Sequence, residues 1–70
     1  MEPRERLAQN IRRRRERIGI SQEALGERCE LHRTEISLLE RAGRDPRLST
    51  LVKVAAALEV SLADLLVDVR

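Results

Sequence analysis

The run Ser21-Gln22-Glu23-Ala24-Leu25-Gly26-Glu27-Arg28-Cys29-Glu30-Leu31-His32-Arg33-Thr34-Glu35-Ile36-Ser37-Leu38-Leu39-Glu40-Arg41 decides the fold. It contains two helix starts in quick succession. Ser21 is a good N-cap, because its hydroxyl accepts an orphan N–H of the first turn. Ile20 before it and Leu25 after it stand where a hydrophobic staple needs them. Leu25 and Cys29 form the inner stripe of this short helix. A second staple, Leu31 with Ile36, brackets His32, and Glu35 stands at the capping-box position. The helix that follows runs from about Arg33 to Arg41. Only Glu30-Leu31-His32 separate the two helices, so they must cross steeply. Gly26 lies mid-helix, where it costs about 1 kcal/mol relative to alanine. Either the third helix approaches closely enough to need it, or it is a tolerated surface glycine.

The rest of the chain has the same grain. Pro3 can start a first helix, since its missing N–H would be unpaired there anyway. Leu7, Ile11 and Ile18 recur at helical spacing and Gly19 closes the helix. Ala42-Gly43-Arg44-Asp45-Pro46 makes a loop. A fourth helix places Leu48, Leu51, Val52, Ala55 and Leu58 on one face. A fifth starts with Ser61 as cap, Asp64 as capping-box partner and a Val60–Leu65 staple, and Leu62, Leu65, Leu66 and Val69 form its stripe. There is no strand alternation, internal repeat or linker. The expected fold is all-α: a compact five-helix bundle, one domain over residues 1–70, with a helix-turn-helix at about 21–41.

Composition excludes several classes of function. A chain of 70 residues is one small domain with 11 Leu, 4 Ile and 5 Val for its core. One cysteine and one histidine leave neither a disulfide framework nor a Cys/His zinc site, and no metal or other cofactor is expected. The absence of Phe, Trp and Tyr removes the stacking platforms that hold single-stranded nucleic acid. No apolar run is long enough to span a membrane, and Met1-Glu2-Pro3-Arg4 opens no signal region. A cytoplasmic protein with a reduced thiol is expected. An enzyme is not: His32 has no catalytic partner nearby in sequence, and Cys29 reads as a small core hydrophobe.

Charge is unevenly spread. Residues 1–47 hold 12 basic against 9 acidic side chains, and residues 48–70 hold 2 against 3. Thirteen of the 14 basic residues are arginine, five of them within Arg12–Arg17. Arginine forks suit phosphates and guanine edges, although alternating charge also makes a plain solvated helix face. The third helix, viewed end-on, points Ile36 and Leu39 one way, flanked by Glu35 and Glu40. Thr34, Ser37, Leu38 and Arg41 point the other way, with Arg33 at the edge. Such a face fits a major groove: Arg33 can fork onto guanine, Thr34 and Ser37 can bond bases or phosphates, and Leu38 can pack on a thymine methyl. A solvated face with one exposed leucine fits the same residues.

Ser21-Gln22-Glu23-Ala24-Leu25, Arg33-Thr34-Glu35-Ile36-Ser37, Leu39-Glu40-Arg41, Arg44-Asp45-Pro46, Leu51 to Leu58 and Val60-Ser61-Leu62-Ala63-Asp64-Leu65-Leu66 resemble the lambda-repressor/Cro (XRE-type) helix-turn-helix family. The resemblance covers roughly residues 5–67. The short chain and the His32–Ser37 run are also similar to restriction–modification controller proteins. The resemblance implies that Gln22 bonds a phosphate, which suits a helix N-terminus. It implies base reading by Arg33, Thr34, Ser37 and Leu38, and backbone or minor-groove contacts by Arg41, Arg44 and Arg47. It also implies an ion pair, Arg15 with Glu40, joining the first and third helices. The chain departs from the family at Glu30, where glycine is common. Glutamate would be strained at φ > 0, so this turn is expected to differ. Ala42-Gly43 replaces a glycine-first exit, so the exit from the third helix is expected to shift by one residue, which bears on the aim of Arg44.

The expected function is a transcriptional regulator that binds double-stranded DNA in sequence-specific fashion, as a homodimer on a two-fold related operator. One small domain binds weakly and two half-sites multiply affinity. Leu48, Leu51, Leu58, Leu62 and Leu65 suffice for the inner stripes of the last two helices, which leaves Val54, Ala57 and Val67 pointing elsewhere, with Leu66 and Val69 near the end, in the segment of net negative charge. Val54, Ala57, Leu66, Val67 and Val69 are the expected dimer contacts, in a dimerisation region of about 54–70. No small-molecule effector is expected, as no further domain is seen. The alternative is a protein-interaction module on the same fold, an antitoxin or a bridging cofactor. An antitoxin would carry an extra tail, and none is seen after Arg70.

Overall fold

Five helices follow one another without a strand in the computed structural model, which describes all 70 residues. They are α1 (Pro3–Ile18), α2 (Gln22–Cys29), α3 (Arg33–Glu40), α4 (Leu48–Ala57) and α5 (Leu62–Leu65). The all-α bundle expected from the sequence is the fold observed. None of the helices is long and apolar enough to cross a membrane.

The caps read from the sequence set most of the boundaries. Pro3 opens α1, and Gly19 ends it at φ 77° with its N–H donating to the Arg15 and Glu16 carbonyls. The Ser21 hydroxyl accepts the Ala24 N–H at 3.0 Å. At α5, Ser61 accepts from Asp64 N–H and Asp64 accepts from Ser61 N–H, a complete capping box. At α3 the cap is His32, whose Nδ1 accepts the Thr34 N–H at 3.0 Å. The capping box expected there does not form. Glu35 instead faces Arg44, 3.5 Å away, where a full positive charge competes with a backbone dipole.

The core takes residues from every helix: Leu7 and Ile11, Leu25 and Cys29, Ile36 and Leu39, Leu51, Val54 and Ala55, then Leu58 and Leu65. Three expectations about the last third of the chain are corrected. Leu48 and Val52, expected on the inner face of α4, are 66% and 51% exposed. The buried stripe is Leu51, Val54, Ala55 and Leu58, spaced i, i+3, i+4, i+7, and Val52 lies 100° round from Leu51 on the flank away from Val54. Leu48 belongs to the first turn, and its side chain tilts toward the N-terminus, past the packed section. Val54, expected at a dimer contact, has no exposed surface and so cannot be one. The fifth helix stops after one turn, so Leu66 and Val69 lie beyond it, half-buried against the core.

The interhelical turns also differ from expectation. Glu30 does adopt the left-handed conformation, at φ 60° and ψ 36°. The turn does not change shape to spare it, because the N–H groups of Glu30 and Leu31 must reach the Glu27 and Gly26 carbonyls to close α2. After α3, Ala42 takes φ 58° and Gly43 does not have positive φ. The left-handed place thus falls on the first residue of the pair, and the expected one-residue shift of the exit is not seen. Gly26 is needed for space. A Cβ there would lie 2.6 Å from the Leu31 carbonyl oxygen and 3.5 Å from the Arg33 nitrogen. The close approach is made by the turn and the first residue of α3.

Candidate nucleic-acid interface

The base of α3 is locked by its last residue. Glu40 is buried, with 2% of its side chain exposed, yet its carboxylate lacks no partner. Arg15 on α1 donates through Nε to Oε2 at 2.6 Å and through Nη2 to Oε1 at 2.9 Å, a bidentate fork. Gln22, at the first position of α2, donates through Nε2 to Oε1 at 3.1 Å. Arg15 also donates to the Ile20 carbonyl at 2.9 Å. One buried carboxylate therefore ties together α1, the entry to α2 and the end of α3. The hydrogen bond to Glu40 raises the Arg15 pKa further above the usual guanidinium range, against the opposing effect of burial.

The other face of α3 is open. Arg33, Thr34 and Arg41 are exposed, while Ser37 and Leu38 are half-buried. Leu38 leans on the loop: a Cβ on Gly43 would lie 3.3 Å from its Cδ2. The Arg33 side chain has no acidic partner within ion-pair distance. Arg44 is 3.5 Å from Glu35, and Arg47 is the exposed N-cap of α4. Arg33, Thr34, Ser37 and Arg41 are thus accessible on α3, and the segment that follows it adds Arg44, beside Glu35, and Arg47. Gln22 has one amide proton committed to Glu40 and one free.

Ala57, Leu66 and Val69 are half-buried and Val67 is 57% exposed. Cys29 is a buried free thiol, its pKa pushed up by burial and partly offset by Lys53, so it stays a protonated core side chain.

Several anchoring residues escaped the sequence reading. Arg4 reaches Asp45 at 3.3 Å and ties the start of α1 to the α3–α4 loop. Arg14 donates to the Leu58 carbonyl at 2.9 Å, and Arg28 to the Ala57 carbonyl at 3.2 Å. Asn10 donates to the carbonyls of Leu65 and Val67. Most of these acceptors are backbone carbonyls, present at every residue, so the sequence carried no signal for them.

A short helix seated by a buried carboxylate, with an open polar face and arginines on the following loop, defines a DNA-binding helix-turn-helix domain of the lambda-repressor type. A helix-turn-helix family profile matches residues 11–65. The chain belongs to this XRE-type helix-turn-helix family of transcriptional regulators. It is 46% identical over 66 residues to the control protein C.SmaI of Serratia marcescens, covering 94% of this chain and 79% of that one. Its fold is similar to that of the restriction–modification controller protein C.AhdI from Aeromonas hydrophila, with a TM-score of 0.87 and 31% identity over 89% of this chain and 94% of that one. It is similar also to the P22 c2 repressor, whose structure contains a synthetic operator, with a TM-score of 0.80 and 33% identity over 86% of this chain and 91% of that one.

Proposed function

We propose that this chain is a sequence-specific, double-stranded DNA-binding regulator, acting in the cytoplasm as a homodimer on a two-fold related operator. One observation carries the reading: α3 presents exposed Arg33 and Thr34 while Glu40 is locked to Arg15 and Gln22. A helix that reads base edges must be rigid against the body that carries it, and a buried, fully satisfied carboxylate supplies that rigidity. α3 enters the major groove. Arg33 forks onto guanine, Thr34 and Ser37 bond base edges or phosphates, and the exposed edge of Leu38 meets a thymine methyl. The free amide proton of Gln22 donates to a phosphate. Arg41, Arg44 and Arg47 hold the backbone beside the site.

The second copy docks on Ala57, Leu66, Val67 and Val69. The whole chain acts as one domain, without cofactor or small-molecule effector, and as a binding protein, not an enzyme. Relatives named as control proteins support a finer reading, control of restriction–modification genes.

Selection of duplexes from a randomised pool by the full chain tests the reading. Enrichment of a two-fold related sequence is the expected result. A pool that stays random after several rounds contradicts it, and would favour a protein-interaction module.

A further inference from the structure

The end of the chain is poorly equipped to hold its own shape. α5 is a single turn, and it runs into a bend where Asp68 takes φ 60°. One turn of helix is below the length that is stable alone. The bonds inside this segment are local: the Leu66 N–H donates to the Leu62 carbonyl and the Val69 N–H to the Leu66 carbonyl, each at 3.0 Å. The side-chain bonds that tie it to another element come from Asn10 on α1. Its Nδ2 donates to the Leu65 carbonyl at 2.9 Å and to the Val67 carbonyl at 2.8 Å, across 55 and 57 residues of chain. An amide nitrogen has two protons, and each finds a carbonyl here. Gripping two carbonyls two residues apart fixes the rotation of the segment as well as its place. One turn along α1, Arg14 donates to the Leu58 carbonyl and holds the approach to α5. The result is a set face, with Leu66 and Val69 packed partly inward and Val67 turned out.

We propose that Asn10 is a positioning residue for self-association: through the Leu65 and Val67 carbonyls it sets the orientation of the C-terminal apolar face that meets a second copy of this chain. The inference rests on the homodimer reading above. The occupant is a second copy because exposed Val67 stands with half-buried Leu66 and Val69 beside both Asp64 and the arginines Arg13, Arg14 and Arg17, charges of both signs that a two-fold related copy can pair across the contact. In a two-fold contact the same patch appears on both sides, so any misorientation is met twice. Close-packed interfaces need preorganised surfaces, and Asn10 supplies the preorganisation that a single turn lacks.

Asn10→Asp keeps the size and shape of the side chain but puts an oxygen where the two donated protons stood. Full-length wild type, Asn10→Asp and Val67→Asp are compared by sedimentation equilibrium, with backbone hydrogen exchange measured on each. A dimeric wild type, a monomeric Val67→Asp and a dissociation constant raised roughly tenfold or more by Asn10→Asp are expected, as lost preorganisation weakens binding. Faster exchange than in the Val67→Asp monomer should be confined to residues 65–70. An unchanged dissociation constant in Asn10→Asp overturns the role of Asn10 and leaves the dimer standing. Faster exchange throughout α1, α2 and α3 overturns it too, since Asn10 would then support the whole fold. A wild type that stays monomeric overturns both the inference and the dimer.

Discussion

Four residues other than glycine, Glu30, Ala42, Glu59 and Asp68, sit near φ 60° in this small chain. An L-residue in that region costs about 1–2 kcal/mol, because Cβ crowds the following carbonyl. At Glu30 the cost is accepted because the turn between α2 and α3 has no other way to satisfy the end of α2. Glu30→Gly is therefore expected to stabilise the chain by about 0.5–1 kcal/mol, the relief of strain less the greater freedom of glycine when unfolded. Thermal unfolding followed by circular dichroism measures it, and a lower melting temperature contradicts it. Gly26 behaves in the opposite way. Its missing Cβ makes room for the Leu31 carbonyl, 2.6 Å from where that carbon would be. Gly26→Ala should cost about 1–3 kcal/mol in the same assay, as overpacking does. Two exchanges between glycine and a larger residue, in one turn, thus have opposite signs. Backbone angle decides the first and space decides the second.

At the scale of the element, α3 has two faces with different duties. Its inner end is held by the Arg15–Glu40 pair, with 13% and 2% of the side chains exposed. Removing one partner leaves a buried charge, so Arg15→Ala and Glu40→Ala should each cost about 3–5 kcal/mol. An exposed pair would cost only about 0–1 kcal/mol. The paired replacement Arg15→Met with Glu40→Leu should lose less than either single change, because no charge is then left without a partner. Chemical denaturation of the three variants compares them. The outer face and the adjoining loop should separate by sequence preference. Arg33→Ala is expected to weaken specific binding by about 1–3 kcal/mol and to relax the choice of one base pair. Arg44→Ala should weaken binding to all sequences and reduce the salt slope by about 1. Titrations at several salt concentrations, on selected and scrambled duplexes, distinguish the two. An unchanged preference in Arg33→Ala would remove that residue from base reading.

Across the whole molecule, large apolar side chains are exposed at three places, Met1 before α1, Leu48 with Val52 on α4 and Val67 after α5. Val67 stands beside Leu66 and Val69, in the segment the dimer reading uses. Two copies joined there would set their α3 helices about 34 Å apart, one turn of DNA. Val67→Asp should then be monomeric, and its affinity for a duplex with two half-sites should fall roughly 10²–10⁴-fold, the usual gain from bivalency. Its affinity for a single half-site should not change. Binding to the two duplexes in parallel measures this, and equal losses on both would place the second copy elsewhere.

The sequence by itself determined the helices, because their signals are local. Ser21 and Ser61 cap, Gly19 terminates, Pro3 starts, and each acts within one turn of its own position. The family resemblance, spread across the chain, determined the class of protein. The packing of the last third was decided only by the tertiary structure. Leu48, Val52 and Val54 are similar aliphatics on one helix, and periodicity alone could not say which flank the neighbouring helices would cover. Tertiary contact put Val54 in the core and left Val52 in solvent. The left-handed Glu30 and Ala42 were decided in the same way, since the need to close each helix end outweighed local preference. So was the grip of Asn10 on Leu65 and Val67, because a carbonyl has no sequence signature and only the fold brings it within reach of a donor more than 50 residues away.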